Sequence, residues 1–143
     1  MKHRKKGKKL GRDIKQRKAL FKNLIRSLIN QEEIKTTQAK AKAIKRLMDK
    51  LMTKAKKGSL SARRQVLSFL PDQKAVHKLF DVLAPRTKTR TSGFTRVIRL
   101  GQRKGDNTMM AKIEFVDQKV EESKEKASAK KSKPASTKRK RGE

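Results

Sequence analysis

The 143-residue chain has no cysteine, tryptophan or tyrosine, and its aromatic content of 3% is phenylalanine alone. Without cysteine there is no disulfide framework, no thiolate zinc site and no thiol nucleophile. With 33% hydrophobic residues, the core is expected to be small and largely aliphatic. No apolar run approaches the roughly 18 residues of a membrane-spanning helix. Residues 1–12 are basic but lack the apolar stretch and cleavage site of a secretory signal. Acids are scarce as well: 13 Asp or Glu face 43 Lys or Arg, a net charge of +30. A chain this positive repels itself, so the expected partner is a polyanion.

The charge is unevenly placed. Residues 1–12 hold Lys2, Arg4, Lys5, Lys6, Lys8, Lys9 and Arg12 with no acid, and Gly7 and Gly11 keep this arm pliable. Residues 13–117 carry +17 and all five phenylalanines. Residues 118–143 are Lys-rich, and Val120 and three alanines are their only apolar side chains. Such a tail buries too little surface to offset its ordering entropy and is expected to be disordered. The expected organisation is a basic arm (1–12), one folded domain (13–117) and a disordered tail (118–143).

Within 13–117 the periodicity changes once. Asp13 with Gln16 suits a helix start, and Ile14, Leu20, Phe21, Leu24, Ile25, Leu28 and Ile29 form one apolar stripe. Thr36 or Thr37 suits the cap of a second helix, with Ile44, Leu47, Met48, Leu51, Met52 and Ala55 inward and Gly58 as its stop. A third helix fits Leu60 to Leu70, ended by Pro71. Asp72 opens a fourth, with Val76, Leu79, Phe80 and Leu83 inward before Pro85. The period then becomes two. Residues 94–100 and 109–116 read as an antiparallel hairpin around a Gly-rich loop, with Ala111, Ile113 and Phe115 facing one way and Lys112 and Glu114 the other. Residues 33–36 could add a third strand. The fold class is α+β: about four helices with a small antiparallel sheet.

Catalytic chemistry is poorly supported. His77 reads as structural or solvent-facing, and His3, in the arm, suits base stacking or phosphate donation. Glu32 and Glu33 are adjacent rather than facing, a poor acid–base pair. Gly101 and Gly105 lack the helix and the Lys-Ser/Thr ending of a phosphate-cradling loop. Met48 and Met52 are core filler. No enzyme, cofactor or metal site is expected.

Polyanion binding is supported at several places. Arginine among small and hydroxyl residues is the informative pattern, because its planar fork bridges phosphate oxygens where backbone approaches closely. Arg86, Arg90, Ser92, Gly93, Phe94, Thr95 and Arg96 have that composition, with Phe94 available to stack. Thr36, Thr37 and Lys40 lie at a helix start that suits phosphate. Arg63 and Arg64 sit on the third helix, and Arg99, Arg103 and Lys104 decorate the hairpin. An arm such as Lys2, His3, Arg4, Lys5, Lys6, Lys8, Lys9 and Arg12 can order on entering folded RNA. The few aromatics argue against a single-strand reader built on stacked bases. The expected mode is phosphate and shape recognition of structured RNA.

These residues carry a resemblance. Met1-Lys2-His3-Arg4-Lys5, Arg17-Lys18-Ala19-Leu20-Phe21-Lys22-Asn23-Leu24 and Ile34-Lys35-Thr36-Thr37-Gln38-Ala39-Lys40-Ala41-Lys42 come first. Ala62-Arg63-Arg64 and Lys78-Leu79-Phe80 follow. Gly93-Phe94-Thr95-Arg96-Val97-Ile98-Arg99, Arg103-Lys104-Gly105-Asp106-Asn107 and Met110-Ala111-Lys112-Ile113-Glu114-Phe115-Val116 complete the series. Together, over roughly residues 1–117, they resemble the bacterial large-subunit ribosomal protein of the L-seventeen family. The chain departs from that family at Gln16, where His is usual, and at Ser92 and Phe94, where Gly and Tyr are usual. Nothing in the resemblance extends to the tail.

The resemblance implies a non-catalytic structural component of the large ribosomal subunit in the cytoplasm. Its partners would be large-subunit rRNA and neighbouring proteins near the nascent-chain exit, with no membrane and no small-molecule substrate. It also implies that Lys2 to Lys5 thread into RNA, that Thr36 and Thr37 sit at an RNA-facing helix start, and that Gly93, Thr95 and Arg96 meet the RNA backbone. The rival reading is a nucleoid or histone-like DNA-condensing protein, suggested by Ala129-Lys130-Lys131-Ser132-Lys133-Pro134 and Thr137-Lys138-Arg139-Lys140-Arg141 in the tail.

Overall fold

A computed structural model of the chain describes residues 8–117. Most of the arm, 1–7, and the whole Lys-rich tail, 118–143, lie outside these residues, and so do the expectations placed on them.

The elements follow the order read from the sequence. Helix α1 is Ile14–Gln31, strand β1 is Glu33–Thr37, helix α2 is Gln38–Lys57 and helix α3 is Leu60–Phe69. Helix α4 begins as Gln73–His77, widens into a π-helical stretch over Lys78–Leu83 and closes as Ala84–Arg86. Strands β2, Thr95–Gln102, and β3, Met109–Phe115, complete the chain. The strand at 33–36 is therefore present and one residue longer. It joins an antiparallel sheet of order β1-β3-β2, in which Ile34, Ile113 and Val97 lie in one row. Three strands packed on helices give the hairpin the support that two strands lack.

The core is aliphatic apart from the rings of Phe80, Phe94 and Phe115. Ile25, Leu28 and Ile29 of α1 meet Ile44, Met48 and Met52 of α2, Leu79 and Leu83 of α4, Ile113 of β3, and the rings of Phe94 and Phe115. Val66, Leu70 and Val76 continue the same cluster below α3 and α4. The paired methionines fill this core, as their spacing predicts.

Several local details differ from the expectation, each for a physical reason. Asp13 and Thr37 occupy N-cap positions but their side chains cap nothing. Side-chain caps are made by Ser59, which accepts from the Ala62 N–H, and by Asp72, which accepts from the Ala75 N–H. Ile14 is 65% exposed rather than part of the buried stripe, because the first turn of α1 overhangs the core. Helix α4 continues past Pro85. The Ala84 N–H reaches back five residues to the Leu79 carbonyl, so Pro85 falls in the first turn of a new α register, where a missing N–H costs little. Strand β2 extends to Gln102 through an irregularity between Arg99 and Gly101, one extra residue of the kind that lets a ladder resume beyond a bulge.

Phe94 connects the two halves of the fold. Its ring is fully buried, its N–H donates to Asp49 Oδ1 on α2 at 3.3 Å, and its carbonyl accepts from the Val116 N–H at 3.1 Å. Phe94→Ala is expected to cost about 3–5 kcal/mol of unfolding free energy in urea melts. Ile14→Ala should stay within about 0.5 kcal/mol of wild type. Similar small losses at both positions would show that the ring does not hold the hairpin to α2.

Candidate nucleic-acid interface

The sequence-chosen residues separate into three groups. Phe94, Thr95 and Thr36 are buried, at 0%, 2% and 9% exposure. Phe94 therefore offers no face to a base, and the stacking role expected of it is withdrawn: the neighbouring Thr, Ser and Arg residues disguised a core position. Thr95 Oγ1 is buried with no hydrogen-bond partner in the structure.

The second group consists of arginines engaged within the protein. Arg86 Nη1 donates to Glu32 Oε2 at 2.8 Å, and Lys78 Nζ reaches the other oxygen of the same carboxylate at 3.0 Å. Arg90 grips both oxygens of Asp117 at 3.0 and 3.2 Å. Arg96 donates twice to Glu114 Oε1, at 2.7 and 3.1 Å, while Lys112 bridges Glu114 at 2.6 Å and Glu33 at 3.0 Å. Glu114, on the face opposite Ala111, Ile113 and Phe115 by alternation, is buried beneath these two cations. Arg63 pairs with Asp81 at 3.0 Å with its guanidinium 5.0 Å from the centre of the Phe80 ring. Arg103 pairs with Asp106 at 2.6 Å. The loop before β2 is pinned as well. Lys56 Nζ donates to the carbonyls of Lys88 and Arg90 and stands 5.5 Å from the Phe94 ring centre. The buried Thr87 hydroxyl donates to the Leu83 and Ala84 carbonyls.

The third group is presented to solvent with no ion pair among the described residues: Lys8, Lys9, Arg12, Arg64, Arg99 and Lys104; Ser92 is exposed as well. Thr37, Lys40 and Gly93 are half-buried. The foot of the arm is tied down, since Arg17 donates to the Lys9 and Arg12 carbonyls at 3.3 and 3.4 Å. Lys2, His3, Arg4, Lys5 and Lys6 lie outside the described residues.

One cationic surface among the described residues was absent from the sequence-chosen set. On α2, Lys42, Lys45, Arg46, Lys50 and Lys57 are exposed and Lys54 half-exposed. Lys42, Arg46, Lys50, Lys54 and Lys57 follow at intervals of three or four residues, which puts them on one face with Lys45 at its edge, away from Ile44, Met48, Leu51, Met52 and Ala55. The only acid of α2, Asp49, points inward to the Phe94 N–H. No ion pair involves the stripe among the described residues, and from Lys42 to Lys57 it runs about 22 Å at the α-helical rise. The signal was readable as a polar periodicity complementary to the apolar one. Lys54 and Lys57 also lie in the last turn, where the helix dipole favours cations. That accounts for two of the six.

Chemically, this surface can hold a polyanion. Among the described residues no group of three or more His, Asp or Glu could hold a metal, and no helix is long and apolar enough to cross a membrane. His77 is exposed beside Asp81 at 3.4 Å.

Comparison with known proteins agrees with this chemistry. The family model for ribosomal protein L17 matches residues 20–116. This chain belongs to the ribosomal protein L17 family. It is 51% identical over 117 residues to the large ribosomal subunit protein bL17 of Thermodesulfovibrio yellowstonii, covering 82% of this chain and 88% of that protein. The bL17 protein of Rhodopseudomonas palustris is also 51% identical over 117 residues (82% and 84%). That of Geobacter metallireducens is 44% identical over 127 residues (89% and 71%). The ribosomal protein L17 family is structural rather than enzymatic. The family match covers β1, α2, the hairpin and the buried Glu114 alike, and ends one residue short of Asp117.

The carboxylates that organise the interface titrate together with the fold. Burial pushes Glu32 and Glu114 up, but hydrogen bonds and charges from Lys78 and Arg86, and from Lys112 and Arg96, outweigh it and hold both below the ordinary value. A folded-state value below the unfolded one stabilises above the unfolded value, roughly 4.3 for Glu, and that stability is lost as pH falls through the folded values. Urea melts should show level stability from pH 7 to about 5 and a decline below about 4. Glu114→Gln should be less stable at pH 6 with a shallower decline. An identical pH slope in that variant would show that Glu114 does not carry this linkage.

Proposed function

We propose that this chain, a structural protein of the large ribosomal subunit, binds large-subunit rRNA in the cytoplasmic ribosome by phosphate and shape recognition. The observation carrying the reading is the unpaired basic stripe of α2, with Arg64, Arg99 and Lys104 as further free cations and the arm as an extended contact. A-form RNA has a major groove too deep and narrow for side chains to read. A helix with one cationic face is therefore suited to lie against the phosphate rows and displace counterions, giving salt-dependent affinity without base readout. The internally paired arginines contribute by holding the scaffold. The family resemblance supports a position near the nascent-chain exit, where other exit-region proteins are the expected neighbours. The DNA-condensing alternative rests on the tail, whose charge is smaller than that of the folded residues.

Sedimentation of a cell lysate expressing the tagged chain tests this reading. The chain should travel with large subunits, and the triple variant K42A/R46A/K50A should enter them poorly. On isolated rRNA, the triple change should flatten the log affinity–log salt slope by about two to three. Migration with DNA, or a triple variant with wild-type occupancy and slope, would overturn it.

A further inference from the structure

The turn between β2 and β3 carries an acid, Asp106, although residues 98–107 are exposed throughout and the chain is otherwise dominated by cations. Its carboxylate is fully engaged. Arg103 donates Nε to Oδ1 at 3.1 Å and Nη2 to Oδ2 at 2.6 Å. The Thr108 N–H donates to Oδ1 at 3.3 Å and the Thr108 hydroxyl to Oδ2 at 2.9 Å. Two backbone bonds close the same turn, from the Arg103 N–H to the Thr108 carbonyl at 3.0 Å and from the Asn107 N–H to the Arg103 carbonyl at 3.1 Å. Gly105 has φ 104° and Asn107 φ 48°. A Cβ at Gly105 would meet nothing within 4 Å, so the glycine serves the backbone angle rather than a close contact.

For a surface that binds by charge alone, this arrangement is counterproductive. Asp106 cancels one cation and occupies the guanidinium of Arg103 at the point farthest along the hairpin. An ordinary turn staple explains the closure of the loop. It does not explain an acid in a place where the partner is expected to be anionic, since the Gly and Asn conformations and the two backbone bonds already close the turn. Shape is what the carboxylate adds. A loop held in one conformation before binding loses less freedom on binding, and folded RNA is recognised largely by shape, with irregular regions offering crevices.

We propose that the tip 103–108 is a preshaped surface that enters a crevice in folded RNA, with Asp106 as a positioning residue that holds Lys104, Gly105 and Asn107 to meet it. The inference rests on the rRNA-binding reading above and goes further, because it assigns Arg103 to the shape of the tip rather than to the RNA and adds Asn107 to the contact.

The test compares two variants that change the charge by the same amount. Asp106→Asn and Gln65→Lys, the latter on the exposed face of α3, each raise the net charge from +30 by one. Binding to a full-length large-subunit rRNA transcript is measured by filter retention, and both folds are checked by thermal melting. Gln65→Lys should bind as tightly as wild type or slightly tighter. Asp106→Asn should bind about fivefold more weakly despite its greater charge, and hydrogen exchange at the Thr108 amide of the free protein should accelerate. Equal or tighter binding by Asp106→Asn, with wild type retained, would overturn the tip proposal alone. Failure of the wild-type chain to be retained would instead overturn the rRNA reading and the tip proposal with it.

Discussion

Self-repulsion is the constraint on which this structure depends. A chain of +30 repels itself when compact, and its few carboxylates offset that repulsion locally. Among residues 13–117, every acid except Asp13 and Asp49 sits in an ion pair with Lys or Arg. The partly buried ones join elements distant in sequence. Glu32, at the α1–β1 junction, takes Lys78 and Arg86 from α4, and Glu114 ties β2 to β3 and, through Lys112, to Glu33 of β1. Exposed ion pairs are worth little, so Arg103–Asp106 and Arg63–Asp81 add local order more than global stability.

A division of labour between the two cations follows. Arginine, with a planar fork matched to a carboxylate, does most of the internal pairing, at Arg63, Arg86, Arg90, Arg96 and Arg103. Lysine, a hydrated point charge on a long stem, dominates the unpaired stripe of α2. The helix that carries this stripe is also the one that anchors the hairpin, through Asp49 and Lys56 around Phe94. The charged surface and the sheet are thus fixed to each other by one helix, with Asp49 and Lys56 at the edge of its charged face.

This division explains what the sequence disclosed and what it concealed. Helices and strands were legible because the period of the apolar residues changes once, near Phe94, and because Gly58 and Asp72 punctuate the chain. The family was legible from the motif series. Which arginines are free was not, since the partners of Arg86 and Arg90 lie 54 and 27 residues away and composition carries no such pairing. Phe94 was misplaced because its immediate neighbours are polar, whereas its burial is set by α2. Glu114 alternates with the core residues of β3, and its burial beside Arg96 and Lys112 is not written in that alternation. The α2 stripe is a plain lysine periodicity that the sequence displays as the polar complement of the apolar one, without the arginine and hydroxyl pattern of the loops.

The central claim is that unpaired lysines face RNA while paired cations hold the fold. It is tested most directly by the acetylation rate of each lysine in the free chain and in intact large subunits, read by mass spectrometry. Lys42, Lys45, Lys50, Lys57 and Lys104 should react readily in the free chain and be strongly protected in the subunit, whereas Lys78 and Lys112 should be slow in both. Equal reactivity of the α2 lysines in the two states would contradict the account.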